Sequence, residues 1–241
     1  MLKQDEQVAT VFARLALELH QESSVEETID AVLQFALRAV GCTHAGVVLV
    51  RRGGRLHPAA STAPVVAQLD RLQLEYGEGP ALTSVADRND VGLLVKDLAL
   101  DERWPAWGPE AAALGLRSAL ALRLHTGGAT LGVLELFHPE PDAFGADEDA
   151  VAHILARHAS VAVATARQEA SLSQAVDARK VIGQAQGILM ERFAMDADQA
   201  FAVLRRYSQD YNIKLRDVAD RLISTRKLPD RPVLSGDEPV V

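Results

Sequence analysis

The residues able to do chemistry in this 241-residue chain are few and unevenly placed. Cys42 is the only cysteine. It excludes an internal disulfide framework and any multi-cysteine zinc or iron–sulfur site. His44, His57, His125 and His138 could in principle ligate haem. They stand singly near strand ends, and such histidines read as solvated or hydrogen-bonded surface residues. Trp104 and Trp107 flank a proline-rich loop, either lining a pocket or packing that loop on a sheet. No Ser-His-Asp spacing, phosphate loop or metal-ligand cluster is present, which argues against an enzyme. What remains is a charge pattern. The chain carries 25 Lys/Arg and 33 Asp/Glu, a net charge of −8. Residues 1–170 hold 14 basic and 23 acidic residues, whereas residues 171–228 hold 10 and 7. A basic module on an acidic body suits a polyanion-binding domain, and equally a chance surplus on a helical surface.

The elements that must position these residues follow from periodicity. With 48% hydrophobic and 24% charged residues, the composition is that of an ordinary globular protein with room for one large domain or two small ones. No stretch approaches the ~18 apolar residues needed to cross a bilayer. Asp5, Glu6 and Glu18 break any secretory-signal pattern, so a cytoplasmic location is expected. Val8, Phe12, Leu15 and Leu19 predict an N-terminal helix. Ser24 with Glu27 forms a capping box for a helix running to about Val40, where Gly41 stops it. Val47 to Val50, an Arg-Gly-Gly turn and "RLHPAAS" predict a β-hairpin. Helices follow at 64–75 and 81–87 around the loop "EYGEGP". Next come a short strand "VGLLV", a loop and helix in "DERWPAWGPEAAALGL", and a second hairpin in "SALALRLHTGGATLGVLELFH". This is an α+β chain with a mostly antiparallel sheet flanked by helices.

That order resembles a GAF domain over about residues 20–165. "GEGP" at Gly77–Pro80 is similar to the loop such domains place before a short helix. "VKDLALDERWPAW" resembles their strand, Asp and Arg-Trp-Pro run, here Asp97, Arg103, Trp104 and Pro105. The closing hairpin carries Gly115, Ser118, Gly132 and Leu134 at the matching places. The resemblance implies a small-molecule sensor whose ligand is not named by the motifs. Its pocket candidates are Tyr76, Glu78, Asp97, Trp104, Trp107, Ser118 and Glu135. A bilin thioether needs a cysteine in the pocket, whereas Cys42 stands at the start of the first strand. A sulfoxide-reductase role needs a nucleophilic cysteine and usually a resolving partner.

From Asp147 to Phe193 the helical pattern is interrupted only by Gly183 and Gly187. Positions from Val151 and Ile154 to Ile182 and Leu189 fall on an imperfect heptad, which predicts a coiled coil shared across a dimer, or else a domain-terminal helix that frays near Ser171–Ser173. Val181, Ile182, Ala185, Ile188 and Leu189 make an apolar stripe with Gly187 inside it. A glycine there costs ~1 kcal/mol against alanine, so it predicts close backbone packing, or else a tolerated weak spot. Asp196 and Gln199 form a capping box for the next helix, with Ala200, Val203, Leu204 and Tyr207 inward. A third helix at about 214–225 turns Leu215, Val218, Ala219, Leu222 and Ile223 inward.

The stretch "RKVIGQAQGILMERFAMDADQAFAVLRRYSQDYNIKLRDVADRLI" resembles an ANTAR domain along its whole length. The resemblance implies a three-helix RNA-binding module of transcription antitermination regulators, acting as a dimer on paired stem-loops. Two positions depart from the family: Gln186 stands where Lys is common, and Ile213 where Arg is. Arg179, Lys180, Arg205, Arg206, Lys214 and Arg216 are the candidate phosphate contacts. Gln184, Ser208, Gln209 and Asn212 are candidate base or sugar contacts, Tyr211 a stacking platform, and Gln186 a further RNA-binding candidate. Ser208 and Gln209 have a second reading as caps of the second helix.

The sequence therefore predicts a sensor domain over residues 1–165, an RNA-binding domain with its connecting helix over 166–228, and a disordered tail over 229–241. Its partners are stem-loop RNA, a second copy of the chain and a small molecule, with no membrane. The competing readings are a DNA-binding regulator that uses the last helices as a helix-turn-helix, and a haem or ligand sensor whose C-terminus only dimerises.

Overall fold

The computed structural model describes residues 24–51, 53–87 and 92–228. The N-terminal helix expected on Val8, Phe12, Leu15 and Leu19, and the tail from 229, lie outside these residues. The chain divides into two compact units, Met1–Glu169 and Ala170–Val241.

In the first unit, α1 (Val25–Ala39) starts where the Ser24 hydroxyl accepts from the Glu27 amide at 3.1 Å. That satisfies one of the free amides of the first turn. Ile29, Val32, Leu33 and Ala36 recur at helical spacing and are buried. Strands β1 (His44–Val50) and β2 (Leu56–Ser61) form the first hairpin. Helices α2 (Pro64–Tyr76) and α3 (Pro80–Ala86) follow, each with proline in its first turn, where the missing N–H costs nothing. Then come β3 (Gly92–Val95), α4 (Trp107–Ala113), and the second hairpin of β4 (Ser118–Thr126) and β5 (Ala129–His138). The sheet is antiparallel throughout, in the order β2-β1-β5-β4-β3.

Both faces of this sheet are covered, so the central strands read as long apolar runs rather than alternating ones. Seven successive residues of β4, Ser118–Leu124, are buried. One face, carrying Val47, Leu49, Leu120, Leu122 and Leu134, packs on α1 and on Ala152, Leu155, Ala159 and Val163 of α5 (Ala146–Phe193). The other face, carrying Val48, Ala119, Ala121, Val133 and Phe137, lies under α2, α3 and α4. Two glycines permit close approach. A Cβ on Gly132 would collide with the Val48 carbonyl oxygen of the neighbouring strand, and one on Gly46 would sit 2.7 Å from a Val66 methyl of α2.

The second unit is a small bundle. Ala185 and Leu189 of α5 pack with Ala200 and Leu204 of α6 (Ala197–Asp210) and with Val218, Ala219 and Leu222 of α7 (Leu215–Thr225). The predicted cap of α6 is present in both directions: Asp196 accepts from the Gln199 amide at 2.8 Å, and Gln199 Oε1 accepts from the Asp196 amide at 3.1 Å. The close packing expected at Gly187 is absent. Gly187 is exposed, and a Cβ there would meet nothing within 4 Å. The apolar stripe turns its buried edge through Ala185 and Leu189, which leaves Gly187 on the solvent side.

Candidate nucleic-acid interface and buried polar core

The basic surplus of the second unit resolves into engaged and unengaged cations. Arg206 reaches Asp210 at 3.5 Å and Arg216 reaches Asp220 at 3.6 Å, both one helical turn away. Arg179, Lys180, Arg205 and Lys214 are exposed, and no hydrogen bond or ion pair to their side chains occurs among the described residues. An exposed cation with no carboxylate neighbour keeps its full charge for an external anion. Arg192, which the sequence reading passed over, donates to the Arg226 carbonyl at 2.8 Å and lies over Phe193.

Several polar candidates here hold the bundle together. Gln186 Nε2 donates to the Ala197 carbonyl at 2.9 Å, tying α5 to the start of α6. Ser208 donates to the Ile213 carbonyl at 2.6 Å, closing the turn between α6 and α7. Asn212 takes the left-handed conformation at φ 50° that this turn needs. Tyr211, half-buried, caps α6 and leans on Tyr207, 5.4 Å between ring centroids, so part of its ring is already covered. Gln184 and Gln209 are exposed.

In the first unit the seven pocket candidates separate. Glu78 Oε2 accepts from the amides of Ala106 and Trp107 at 2.9 and 3.1 Å, pinning the loop before α4. Trp104 and Trp107 meet edge to face at 5.7 Å. Their ring N–H groups donate to Thr83 Oγ1 and to the Leu69 carbonyl. Both tryptophans are buried and pack the loop on the sheet. Asp97 takes a two-pronged contact from Arg117, with Nε at 2.8 Å, which holds its carboxyl below the usual range. Ser118 donates to the Glu140 carbonyl at 2.7 Å. Tyr76, at the end of α2, is 42% exposed.

Glu135 is different. It is fully buried on β5 beside Asp70 of α2, itself 1% exposed. Gln73 Nε2 donates to Glu135 Oε1 at 2.9 Å, while Gln73 Oε1 accepts from the Ala81 amide at 2.8 Å. Among the described residues, neither oxygen of Asp70, nor Oε2 of Glu135, receives an N–H or O–H from any other group. The two carboxyls lie within hydrogen-bonding reach of each other, so one of them must carry a proton to donate. Burial pushes Asp70 up to about 6. Burial, then the Asp70 charge, pushes Glu135 well above the usual carboxylate range. The sequence reading missed Asp70 and Gln73. Their signal was visible: Val66, Leu69, Asp70 and Gln73 share the buried face of α2 at i, i+3, i+4 and i+7.

Cys42 is buried, and that burial pushes its thiol up to about 12. It is a thiol, not a thiolate, near neutral pH. His44 Nδ1 and Thr43 Oγ1 pair at 2.8 Å, and His138 Nδ1 accepts from the Glu140 amide at 3.1 Å. No group of three metal-ligating side chains occurs among the described residues. No helix among them is long and apolar enough to cross a membrane.

Comparison with known proteins adds two family matches. The GAF domain model matches residues 22–164, and the ANTAR domain model matches residues 170–223. No curated protein matches the chain. Among solved structures, it resembles the GAF domain of a phosphoenolpyruvate-protein phosphotransferase from Coxiella burnetii at 19% identity and TM-score 0.57, covering 68% of this chain and 96% of that one. A free methionine-R-sulfoxide reductase from Neisseria meningitidis, in complex with its substrate, is 17% identical with TM-score 0.52, covering 67% and 90%. A GAF domain from Synechocystis, in its photoproduct state, is 18% identical with TM-score 0.51, covering 62% and 99%. At these identities the structures share the fold of the first unit.

Proposed function

We propose a function that starts from family membership: the chain belongs to the GAF family, and it carries an ANTAR domain on the C-terminal side of the GAF domain. An ANTAR domain implies RNA-binding antitermination regulation, and a GAF domain implies a small-molecule sensor. Neither family is enzymatic. In our reading the chain is a signal-responsive regulator that binds paired stem-loops of leader RNA as a dimer and favours the antiterminator.

One observation carries the RNA reading. Arg179, Lys180, Arg205 and Lys214 stand exposed and unpaired in the unit that holds the chain's basic surplus. Phosphates are held by such cations, while unpaired loop bases are read by hydrogen bonding and stacking. Gln184 and Gln209, exposed in the same unit, supply the polar contacts. Gln186 acts through the bundle, by its bond to Ala197. The dimer reading rests on α5, where Ile154, Val161, Leu172 and Val176 expose apolar side chains that a second copy would cover.

The test is a gel-shift titration of the full chain against a paired stem-loop RNA, with duplex DNA as competitor, at two salt concentrations. Binding to RNA that DNA does not displace, and that weakens with salt, is expected. Arg205→Ala and Lys214→Ala should each weaken binding and each reduce the salt slope by about one. Displacement by duplex DNA would replace this reading with that of a DNA-binding regulator.

A further inference from the structure

On the sheet face away from the Asp70–Glu135 pair, a cleft of about 360 Å³ opens between α1, β2 and α5. Its size falls at the lower end of small-molecule sites, ~300–1,000 Å³. Three features of its lining point to one kind of ligand.

The floor is apolar. Ile29 of α1, Leu49 of β1, and Ala59 and Ala60 of β2 form it. A register shift near Val47 and Val48 pairs these residues with Ala60 and Pro58, so Ala59 is left over on β2. Ala59 and Ala60 then both pack toward the same core. Their small side chains leave the floor open where larger ones would fill it.

The walls are charged, with opposite signs on different elements. Glu26 and Asp30 stand one turn apart on α1 and supply the negative wall. Arg51 at the end of β1 and Arg167 of α5 supply the positive side, with His57 of β2 beside them. None of these five groups forms an ion pair with another among the described residues, although all line one cleft. The two signs are thus held apart rather than allowed to neutralise each other.

Arg167 is the telling member. Its side chain is half-buried, and among the described residues the guanidinium makes one hydrogen bond, a long contact of 3.4 Å from Nη2 to the Val50 carbonyl. Burial alone lowers its pKa, with no carboxylate acting to restore it. A partly desolvated guanidinium without an anion is costly unless a ligand supplies one.

We propose that this cleft binds a small zwitterion, an aliphatic molecule with one carboxylate and one ammonium group, in the manner of a free amino acid. The carboxylate lies on Arg167, with Arg51 adding charge. The ammonium lies on Glu26 and Asp30, and the aliphatic part covers Ile29, Leu49, Ala59 and Ala60. An anion without the ammonium leaves Glu26 and Asp30 facing it with like charge, and an amine without the carboxylate leaves Arg167 unpaired. The proposal names a second face of the sensor unit as a ligand site and does not depend on the RNA reading.

The experiment is isothermal titration of the full chain, without RNA, against each of the standard free amino acids at millimolar concentration. For any that binds, its deaminated acid and its decarboxylated amine are titrated in parallel. At least one aliphatic amino acid should bind, and each single-charge analogue should bind about tenfold or more weakly, the equivalent of ~1.4 kcal/mol. Arg167→Met should lose affinity for the amino acid about tenfold or more, while leaving the weak binding of the amine unchanged. Asp30→Asn should do the converse, sparing the deaminated acid. Unchanged tryptophan fluorescence would show that both variants are folded. Three results overturn the proposal: no amino acid binds, the deaminated acid binds as well as its parent, or neither substitution alters affinity. Because no RNA enters the assay, failure here leaves the antitermination reading standing.

Discussion

Replacing Asp70 by asparagine separates the proton of the buried carboxyl pair from every other titration in the chain. In the folded protein Asp70 is raised from 3.8 to about 6, chiefly by burial, and Glu135 is raised well above the usual carboxylate range. Unfolded, both return to about 4. Between those values the folded state holds a proton that the unfolded state has released, so stability falls as pH rises. The contribution is fully present below about pH 4 and is lost as pH rises through about 6. A shift of about two units is ~3 kcal/mol. For a unit of this size that is roughly 6–12 °C in Tm. Asparagine fills the same volume, cannot ionise, and donates an N–H to Glu135. The measurement is urea unfolding of wild type and Asp70→Asn from about pH 4 to pH 7.5, followed by tryptophan fluorescence. Both tryptophans of the chain, Trp104 and Trp107, are buried in the sensor unit, so the signal reports that unit alone. The ion pairs of Asp97 and Asp101 titrate alike in both proteins and cancel in the difference. Wild type should lose ~3 kcal/mol relative to the variant across this range. A difference that is constant with pH would refute the shared proton, since the carboxyls would then ionise together in the folded state. Glu135→Gln is the companion variant and should flatten the same curve.

Further expectations follow from single contacts. Asp196→Ala removes the reciprocal cap of α6 and should cost about 1 kcal/mol, read by helical circular dichroism while tryptophan fluorescence stays unchanged. Gly132→Ala drives a methyl into the Val48 carbonyl across the β1–β5 pair, where backbone cannot yield cheaply. It should destabilise the sensor unit by roughly 1–3 kcal/mol, seen as a lower urea midpoint in fluorescence. Cys42, with its thiol pushed up to about 12, should resist alkylation at mildly alkaline pH until the unit unfolds. Rapid labelling of the folded chain would refute this expectation.

The order of elements was legible because each one is specified locally. The Ser24 and Asp196 caps, the alternation from helical to strand periodicity, and the Gly-rich hairpin turns all act within a few residues. The bundle core was legible for the same reason, since Ala185, Leu189, Ala200, Leu204, Val218 and Leu222 repeat at helical spacing. Of the two readings of Gly187, close packing fails and the tolerated weak spot stands, because a glycine beside an apolar stripe looks alike whether a neighbouring helix or solvent faces it. The partners of the pocket candidates were hidden for a related reason. Asp97 and Ser118 are ordinary polar residues until Arg117 and the Glu140 carbonyl are placed beside them.

By itself the sequence determined the two-domain order, the antiparallel α+β architecture and the basic character of the second unit. These depend on periodicity, caps and composition, which are properties of neighbours along the chain. Tertiary structure alone decided which charges are answered. Asp70 meets Glu135 across 65 positions of sequence, and Arg167 approaches Val50 across 117. In both places the state of a charge is set by burial and by partners from remote strands and helices. Arg205 and Lys214 remain unpaired while Arg206 and Arg216 do not, because only the helix faces decide which carboxylate comes within reach.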